Sequence, residues 1–382
     1  MSKIVVSQLN VYPIKSSAGI SLSHSKIDAY GLAFDRRMVL TDVHGQFLTA
    51  RTHPKLCLIK AQLTTDGLRL NAPNMPELTI QYATFSNHYQ TIQIWQDQLN
   101  AQRTHIDYDR WFSAYLTSPC QLHYFGEQSK RLVKNRLEPV AFADGYPVLL
   151  ISHASLIDLQ QRCPNPLTMA QFRPNIVVEN CLPFAEDGWQ QIRIGAVLFD
   201  VVKPSSRCIF TTINPNTAEL NTEQQPLATL KQYRQAANGE VMFGQNLVAL
   251  NQGEIAVHDQ VEIISSKPAA IYPEPPQQVI LKTNIAQPKP TSIAQKLTIS
   301  FHSWHKKIKG NNQQTLLEQG EAAGMILPYS CRAGMCGSCK MRLISGEVQQ
   351  FASDGLSAQE QHDGYILACS CVPQTDVILS KD

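Results

Sequence analysis

The chain lacks long hydrophobic runs. Its longest apolar stretches, such as residues 148–151, are far shorter than the roughly 20 residues needed to cross a membrane. Residues 1–16 lack the basic and then apolar layout of a signal peptide. Ten cysteines are present, but they are not spaced as in a secreted disulfide framework. These absences predict a cytoplasmic protein with no membrane partner.

The chain also lacks a charge excess and a nucleotide-binding motif. Lys plus Arg number 33 and Asp plus Glu number 31, so a net charge of +2 excludes a strongly basic surface for a nucleic acid polymer. Neither G-x-G-x-x-G nor a P-loop occurs, and no internal repeat is visible. If the protein performs redox chemistry, its electrons therefore come from another protein.

Four cysteines near the C-terminus have the spacing of a plant-type 2Fe-2S cluster. Three follow a C-x4-C-x2-C pattern, and the fourth comes after 29 further residues. They are Cys331, Cys336, Cys339 and Cys369. Structural zinc sites usually combine two closely spaced cysteine pairs, whereas this segment has only one C-x2-C pair. The spacing therefore favours an iron-sulfur cluster over zinc or a disulfide. The pattern predicts an electron-transfer domain.

The sequence around these cysteines resembles that of plant and bacterial ferredoxins at residues 327–334 and 364–369. The resemblance implies a β-grasp domain, and local patterns agree with it. Residues 297–301 alternate as in a strand, and residues 313–323 read as a short helix.

A further cysteine makes the fourth ligand ambiguous. Cys369 and Cys371 would point to the same face of a strand, so periodicity does not decide between them. Spacing favours Cys369 and leaves Cys371 as a neighbouring buried thiol.

The first 266 residues read as mainly β with helical insertions, which points to β-barrel architecture. Predicted strands cover residues 5–12, 37–41, 46–49, 191–202, 208–213 and 254–264, with a hairpin turn at 42–45 and a pairing of 191–202 with 208–213. Predicted helices cover residues 108–117 and 154–162.

Six prolines lie within residues 267–295, and this composition predicts a linker before the cluster domain. A loop packed on a domain surface is the alternative for residues 271–281.

Cys208 is the best candidate in the barrel region for holding a redox group. It follows Ser205, Ser206 and Arg207, and a thiol preceded by a cation and hydroxyls on a turn has a lowered pKa and suits a soft metal. An isolated cysteine is more often a small buried hydrophobe, which is the interpretation for Cys57, Cys120, Cys163 and Cys181.

Several separated blocks resemble known domains. Residues 206–208, 211–215 and 172–177 are similar to the cofactor-binding segments of MOSC domains. Residues 11–16, 35–36 and 49–51 resemble the barrel domain that precedes MOSC in amidoxime-reducing component proteins. The order matches bacterial MOSC proteins with a C-terminal 2Fe-2S ferredoxin. The implied domains are an N-terminal barrel at 1–100, MOSC at 101–266, a linker at 267–295 and the ferredoxin at 296–382.

The resemblance also implies a cofactor and its ligands. Cys208 would be the catalytic thiolate ligand of molybdenum in a molybdopterin cofactor. The residues holding the pterin and its phosphate would be Lys15, Ser16, Arg36, Ser152, Arg173, Asn175, Ser206, Arg207 and Asn246. Cations, hydroxyls and amides are suited to such an anion, although each cation alone is as readily a structural ion-pair partner.

The implied function is a molybdenum-dependent oxidoreductase that reduces small N-hydroxylated compounds, such as hydroxylaminopurine-type bases and amidoximes, in detoxification. An NAD(P)H-dependent flavin reductase would supply electrons through the 2Fe-2S domain. The alternatives are a sulfur carrier with a Cys208 persulfide and an electron-transfer module without catalysis. Asp35, His153 and Arg51 are proton-donor candidates by sequence position alone.

Two positions depart from the family pattern. Many relatives have cysteine where Ser17 stands, and His258 replaces a glycine expected before Asp259. Neither departure touches the implied metal ligand, and His258 is expected at the surface.

Overall fold

The computed structural model describes residues 3–95, 97–272, 296–312, 314–329, 337–350 and 355–381. Most of the predicted linker, together with Cys331 and Cys336, lies outside these described residues. The chain divides into two compact units, Met1–Leu230 with Met242–Ile271 and Lys231–Val241 with Tyr272–Asp382.

Strands predominate in the described part of the chain before residue 273. They are β1 (Val5–Val11), β2 (Ile20–Leu22), β3 (His24–Asp28), β4 (Gly31–Leu32), β5 (Met38–Thr41), β6 (Lys60–Leu63), β7 (Gly67–Asn71), β8 (Leu78–Gln81), β9 (Tyr89–Ile94), β10 (Asp97–Arg103), β11 (Gln121–Tyr124), β12 (Val148–Ser152), β13 (Ile176–Glu179), β14 (Trp189–Ile194), β15 (Val197–Arg207), β16 (Val241–Ala249), β17 (Gly253–Ala256) and β18 (Val261–Ser266). The helices are α1 (Ile106–Leu116), α2 (His153–Arg162) and α3 (Leu227–Arg234).

The described residues after 295 contain further strands and two helices. The strands are β19 (Lys296–Phe301), β20 (Lys306–Asn311), β21 (Lys340–Ser345), β22 (Val348–Gln350), β23 (Tyr365–Leu367), β24 (Cys371–Pro373) and β25 (Val377–Ser380). The helices are α4 (Leu316–Ala322) and α5 (Ala358–His362). Short 3-10 helices cover Pro54–Leu58, Tyr82–Thr84, Met169–Gln171, Ala185–Gly188, Ile209–Thr212 and His302–Trp304.

An eight-stranded sheet in the order β18-β14-β15-β16-β12-β13-β1-β2 forms the larger barrel. The sheet closes on itself where β18 meets the start of β1, because Val261 N donates to Ile4 O at 2.8 Å and Val6 N donates to Asp259 O at 2.9 Å. Closure satisfies backbone groups that an open edge would leave unpaired. Inward apolar side chains, including Leu150 and Phe199, fill the interior.

A four-stranded sheet in the order β5-β11-β10-β9 belongs to the N-terminal barrel region, with β6-β7-β8 beside it. Helix α1 contributes Tyr108, Trp111, Phe112 and Tyr115 to the apolar core of this region. The helix ends at Thr117, which has a left-handed backbone with φ of 54°. This apolar core packs against β5 and against the segment that follows β1. Both of these segments lead to the candidate site.

The C-terminal sheet has the order β20-β19-β25-β21-β23, with β19 and β25 parallel. Helix α4 starts with a capping box, in which Thr315 Oγ1 accepts from Glu318 N and Glu318 Oε2 accepts from Thr315 N. Its buried Leu316 and Leu317 pack in the core of this sheet. A mixed sheet covered by a short helix agrees with the expected β-grasp fold.

The predicted strand at 5–12 and the helices at 108–117, 154–162 and 313–323 are confirmed with small changes in their ends. The turn at 42–45 is also confirmed, since Asp42 Oδ1 accepts from His44 N and Gln46 N, both at 2.9 Å. Residues 46–49 are not a regular strand and make only isolated bridges there, such as Thr41 with Phe47.

The predicted single strand at 191–202 is wrong, because this segment contains a hairpin of β14 and β15. Gly195, with a φ of +55°, makes the turn between Ile194 and Val197. As a consequence, β15 continues to Arg207 and ends at the cavity described below.

The predicted strand at 208–213 is also wrong, since Cys208 precedes the 3-10 helix Ile209–Thr212. Thr211 Oγ1 donates to Cys208 O at 2.9 Å, and Thr212 Oγ1 donates to Ile209 O at 2.8 Å. Threonine hydroxyls that bond backward to the backbone stabilise a turn in competition with a strand.

The predicted strand at 254–264 is interrupted between β17 and β18. His258 has a φ of +75° and is exposed, so histidine occupies a left-handed position that favours glycine. The departure from the family pattern therefore falls on a surface turn, as expected.

Candidate active site

A cavity of about 320 Å³ lies in the unit that contains both barrel regions. Nine of the ten residues predicted for the molybdenum site line it: Lys15, Ser16, Arg36, Arg173, Asn175, Ser206, Arg207, Cys208 and Asn246. The lining carries six cationic side chains, Lys15, Arg36, Arg51, Arg173, Lys203 and Arg207, and one carboxylate, Asp144. This excess of positive charge suits an anionic ligand.

Three of the lining residues have left-handed backbones although none is glycine. The φ angles are 72° for Ser16, 46° for Arg36 and 56° for Arg173. Such conformations cost roughly 1–3 kcal/mol each and persist where neighbouring contacts impose them. Ser16 Oγ accepts from Ala50 N at 3.1 Å, and Arg36 N donates to Tyr12 O at 2.8 Å.

Arg36 and Arg173 both stack on the ring of Tyr12, with guanidinium carbons 4.3 and 4.0 Å from its centroid. Arg36 Nη1 donates to Asp35 Oδ2 at 2.6 Å and to Asn175 Oδ1 at 3.0 Å. Burial and, next, the Arg36 guanidinium lower the pKa of Arg173. Two like charges on one ring are stabilised when an anion binds beside them.

Arg207 has an unused donor in the described part of the chain. Its Nη1 donates to Ser205 Oγ at 3.1 Å and its Nη2 donates to Phe172 O. The buried Nε has no hydrogen-bond partner among the described residues. Burial lowers the pKa of Arg207 to about 10, against the opposing effects of Cys208 and Asp144. A buried donor without a partner is costly, so this N–H fits a ligand acceptor.

Cys208 is half-buried and lies next to Arg51. Arg51 Nε donates to Cys208 Sγ at 3.2 Å, and Arg51 Nη2 lies 3.4 Å from Asp144 Oδ2. Lys15 Nζ donates to Asp144 Oδ1 at 2.5 Å and to Phe142 O at 2.8 Å. The thiol, two cations and the carboxylate therefore form one connected network.

The network shifts the pKa values of its members. Burial lowers the pKa of Lys15 to about 8, although Asp144 acts in the opposite direction. Burial alone would raise the pKa of Asp144, but Lys15 and Arg51 outweigh it and hold that pKa below its usual range. Asp144 therefore stays ionised, and Lys15 holds a proton that is released near neutral pH more readily than from a free lysine.

Ser152 does not line the cavity. Its fully buried hydroxyl caps helix α2, where Ser152 Oγ accepts from Ser155 N at 3.0 Å. Ser152 N in turn donates to Glu186 Oε1 at 3.0 Å. These contacts give Ser152 a structural role at the start of α2 and place it outside the cavity lining.

Two of the three proton-donor candidates also lie outside the cavity lining. Asp35 is buried and bound to Arg36, and it accepts from Tyr12 N at 2.8 Å. His153 is exposed as the first residue of α2. Arg51 lines the cavity.

Asp144 was not predicted as a site residue. It lies in the segment between β11 and β12, which has no regular secondary structure in which periodicity could be read. The available signal was the apolar run of residues 139–143 ending in Asp144-Gly145, which is typical of a buried strand-like segment leading to a turn.

A second cavity of about 810 Å³ shares Gln171, Arg173 and Phe210 with the first. Its lining includes Cys57 but not Cys208, and its cations are Lys60 and Arg173. Burial raises the pKa of Cys57 to about 11, so its thiol is a poor metal ligand at neutral pH. The smaller cavity is therefore the candidate active site.

In the C-terminal unit, Cys339 Sγ lies 3.1 Å from Cys369 Sγ. Cys371 Sγ instead donates to Gln350 Oε1 at 3.2 Å, and burial raises the pKa of Cys371 to about 12. The structure brings together the two predicted ligands that it describes. Cys331 and Cys336 lie outside the described residues.

Comparison with protein families identifies three consecutive domains. Residues 3–119 match the MOSC N-terminal beta barrel domain, residues 138–262 the MOSC domain and residues 304–374 the 2Fe-2S iron-sulfur cluster binding domain. Mitochondrial amidoxime-reducing component 1 of Xenopus laevis is 30% identical over 286 residues, covering 69% of this chain and 83% of that protein. This chain belongs to the amidoxime-reducing component family.

Mammalian members of the amidoxime-reducing component family match over similar lengths. Component 1 of Homo sapiens is 32% identical, covering 68% of this chain and 82% of that protein, and the Mus musculus protein has the same values. Among solved structures, a ferredoxin reductase of carbazole 1,9a-dioxygenase is 28% identical over 24% of this chain and 29% of that chain, with a TM-score of 0.22. Within the described residues, no helix combines the length and apolarity that a membrane span requires.

Proposed function

We propose that this protein is a molybdenum-cofactor-dependent reductase of N-hydroxylated compounds that receives electrons through its own 2Fe-2S domain. The observation that carries the proposal is the half-buried Cys208 thiol in a cavity with six cations and one carboxylate. The relatives' name, amidoxime-reducing component, supports the substrate class.

The cavity residues fit a thiolate-ligated, anionic cofactor. The unpaired Arg207 Nε and the neighbouring Arg36 and Arg173 guanidinium groups are donors suited to phosphate and pterin oxygens. We assign the metal to Cys208 and the organic part of the cofactor to Lys15, Ser16, Arg36, Arg173, Asn175, Ser206, Arg207 and Asn246.

When bound, the cofactor would supply a metal that exchanges two electrons, the number needed to convert N–OH and two protons into N–H and water. A 2Fe-2S cluster passes single electrons, so two transfers serve each turnover. An NAD(P)H-dependent flavin reductase is the proposed donor, because the chain lacks the usual dinucleotide motif. Cys339 and Cys369, with Cys331 and Cys336, are the proposed cluster ligands.

The protons are assigned to the Lys15–Asp144 pair. Lys15 Nζ is buried and bonded to Asp144 Oδ1, and Asp144 is 55% exposed at the cavity. The ionised Asp144 carboxylate orients the ammonium group, while Lys15 holds the proton at Nζ. This arrangement supplies a donor that the three candidates from the sequence do not.

Cys208→Ser tests the proposal. We expect reduction of an amidoxime and of an N-hydroxylated purine to fall to background, while the visible spectrum of the 2Fe-2S cluster is unchanged. Cys181→Ser is the matched control, since Cys181 is also half-buried but does not line the cavity. Full activity of Cys208→Ser with a normal molybdenum content would overturn the role of Cys208. Labelled sulfur transferred from wild-type Cys208 to an acceptor protein would favour the sulfur-carrier alternative.

A further inference from the structure

The guanidinium group of Arg51 makes three hydrogen bonds at the cavity. Its Nε donates to Cys208 Sγ at 3.2 Å, its Nη1 donates to Thr49 Oγ1 at 3.4 Å and its Nη2 donates to Asp144 Oδ2 at 3.4 Å. The Arg51 side chain is 8% exposed. Each end of the planar group is therefore engaged, and only Nε faces the sulfur.

Trp95 holds this arrangement from another side. The Arg51 guanidinium carbon lies 4.6 Å from the Trp95 ring centroid, and Trp95 Nε1 donates to Asp144 Oδ1 at 3.2 Å. Asp144 thus accepts from Arg51 and Trp95 through different oxygens. A guanidinium stacked on an aromatic ring and bonded to a carboxylate has little freedom to turn.

The charge on Arg51 is secured by the same contacts. A guanidinium group stays charged in proteins, and the Asp144 carboxylate, 3.4 Å from Arg51 Nη2, balances that charge. A charged donor forms a stronger hydrogen bond to a thiolate than a neutral donor does. The hydrogen bond from Arg51 Nε to Cys208 Sγ is therefore donated by a charged group.

We propose that Arg51 is a positioning residue that orients Cys208 Sγ and, by donating a hydrogen bond to it, lowers the electron density that the sulfur offers to a bound metal. The inference rests on the proposed function, because it takes Cys208 as the metal ligand. Hydrogen bonds to ligating sulfur and imidazole groups orient those ligands and adjust the metal's reduction potential. Thr49, Trp95 and Asp144 serve this role by holding Arg51.

The test compares Arg51→Lys and Arg51→Met with wild type in the full-length holoenzyme. Lysine keeps the positive charge but has no Nε–H at the position that faces Sγ. We expect molybdenum content within twofold of wild type, altered g values in the paramagnetic resonance of the half-reduced metal and a lower reduction potential. The kcat for amidoxime reduction should fall about 10–100-fold with little change in KM.

Arg37→Lys is the matched control. Arg37 also pairs with an aspartate and stacks on an aromatic ring, with Nη2 2.5 Å from Asp28 Oδ2 and its guanidinium carbon 4.4 Å from the Tyr30 centroid, but it does not line the cavity. Its resonance and potential should match wild type. Trp95→Phe, which keeps an aromatic face but loses the bond to Asp144, should shift the spectrum in the same direction by less.

The outcomes separate the two proposals. An unchanged resonance and potential in Arg51→Lys, with wild-type molybdenum content and an intact 2Fe-2S spectrum, would overturn the role of Arg51 alone. A raised KM with unchanged kcat and spectrum would also overturn it, since Arg51 would then bind substrate. A wild-type protein without molybdenum would overturn the proposed function and this inference together.

Discussion

Cationic residues at the cavity are anchored by contacts within the protein and still present groups that can interact with a ligand. Arg207 is anchored through Nη1 and Nη2, and its Nε remains without a partner among the described residues. Arg36 is held by Asp35 and Asn175 while its face lies on Tyr12. Such anchoring reduces the conformational entropy lost when an anion binds, so the cations are already in place.

The lowered pKa of Lys15 predicts that this residue contributes to stability in a pH-dependent way. Its folded pKa is about 8 against the ordinary value of 10.5. Below pH 8 Lys15 is protonated in both the folded and the unfolded state, and the folded state bears the full free-energy cost of burying the charged ammonium group. Between pH 8 and 10.5 Lys15 remains protonated only in the unfolded state. The unfolding free energy of cofactor-free wild type should therefore rise relative to Lys15→Met across this window, by about 2–3 kcal/mol.

Urea unfolding at pH 7.5 and 10 would measure the Lys15 effect. Lys60→Met is the control, because it removes the same type of side chain from an exposed position. A constant difference between wild type and Lys15→Met would contradict the lowered pKa.

The different contacts of Cys369 and Cys371 predict opposite effects when each is replaced by serine. Cys369 Sγ lies beside Cys339 Sγ, whereas Cys371 Sγ is bonded to Gln350. We expect Cys369→Ser to lose or destabilise the 2Fe-2S cluster and Cys371→Ser to keep it. Visible absorption and paramagnetic resonance would check this, and a cluster lost only in Cys371→Ser would reverse the assignment.

At the scale of single elements, local hydrogen bonds decide where strands end and helices begin. β15 stops at Arg207 because Thr211 and Thr212 bond backward to the carbonyls of Cys208 and Ile209. This short helix turns the chain directly after Cys208 and so leaves its thiol at the cavity.

Helix α2 supplies a prediction that separates structure from cofactor binding. Ser152→Ala removes the N-cap acceptor for Ser155 N and should lower the unfolding free energy by about 1 kcal/mol. Since Ser152 does not line the cavity, molybdenum content should be unchanged. Thermal unfolding and metal analysis measure both, with Ser206→Ala as the comparison in which cofactor loading should suffer. Loss of molybdenum from a stable Ser152→Ala protein would restore Ser152 to the cofactor set.

At the scale of the molecule, the two barrel regions lie in one unit and the predicted cluster ligands in another. The larger barrel is closed by contacts between residues 4–6 and 259–261, which do not involve the C-terminal domain. Lys267 also packs on this barrel, with Nζ donating to Val201 O at 2.7 Å. A truncation should therefore keep residues up to Ile271.

Truncation after Ile271 tests the division of labour. The shortened protein should fold and bind molybdopterin, lose activity driven by NAD(P)H and a flavin reductase, and keep activity driven by a small chemical reductant. Molybdenum analysis confirms loading. Failure with both electron sources despite full loading would mean that the C-terminal domain also shapes the active site, and undiminished activity with the reductase would remove the cluster from the electron route.

The sequence alone determined the features that depend on local spacing. The C-x4-C-x2-C pattern indicated the cluster domain, because the ligands of one loop lie within a few residues of each other. Apolar periodicity predicted β1, α1, α2 and α4, because amphipathic faces repeat every few residues. Resemblance in separated blocks indicated Cys208 and nine residues expected to bind the cofactor, and the structure brings all of these but Ser152 to one cavity.

Only the tertiary structure decided which distant residues meet. Arg51 contacts Asp144 across 93 positions and Cys208 across 157 positions, and Asp144 lies in a segment without periodicity. The orientation of Cys371 toward Gln350 likewise depends on the pairing of β22 with β24. Local patterns carry no information on such contacts, because chain closure and packing of the whole core set these distances.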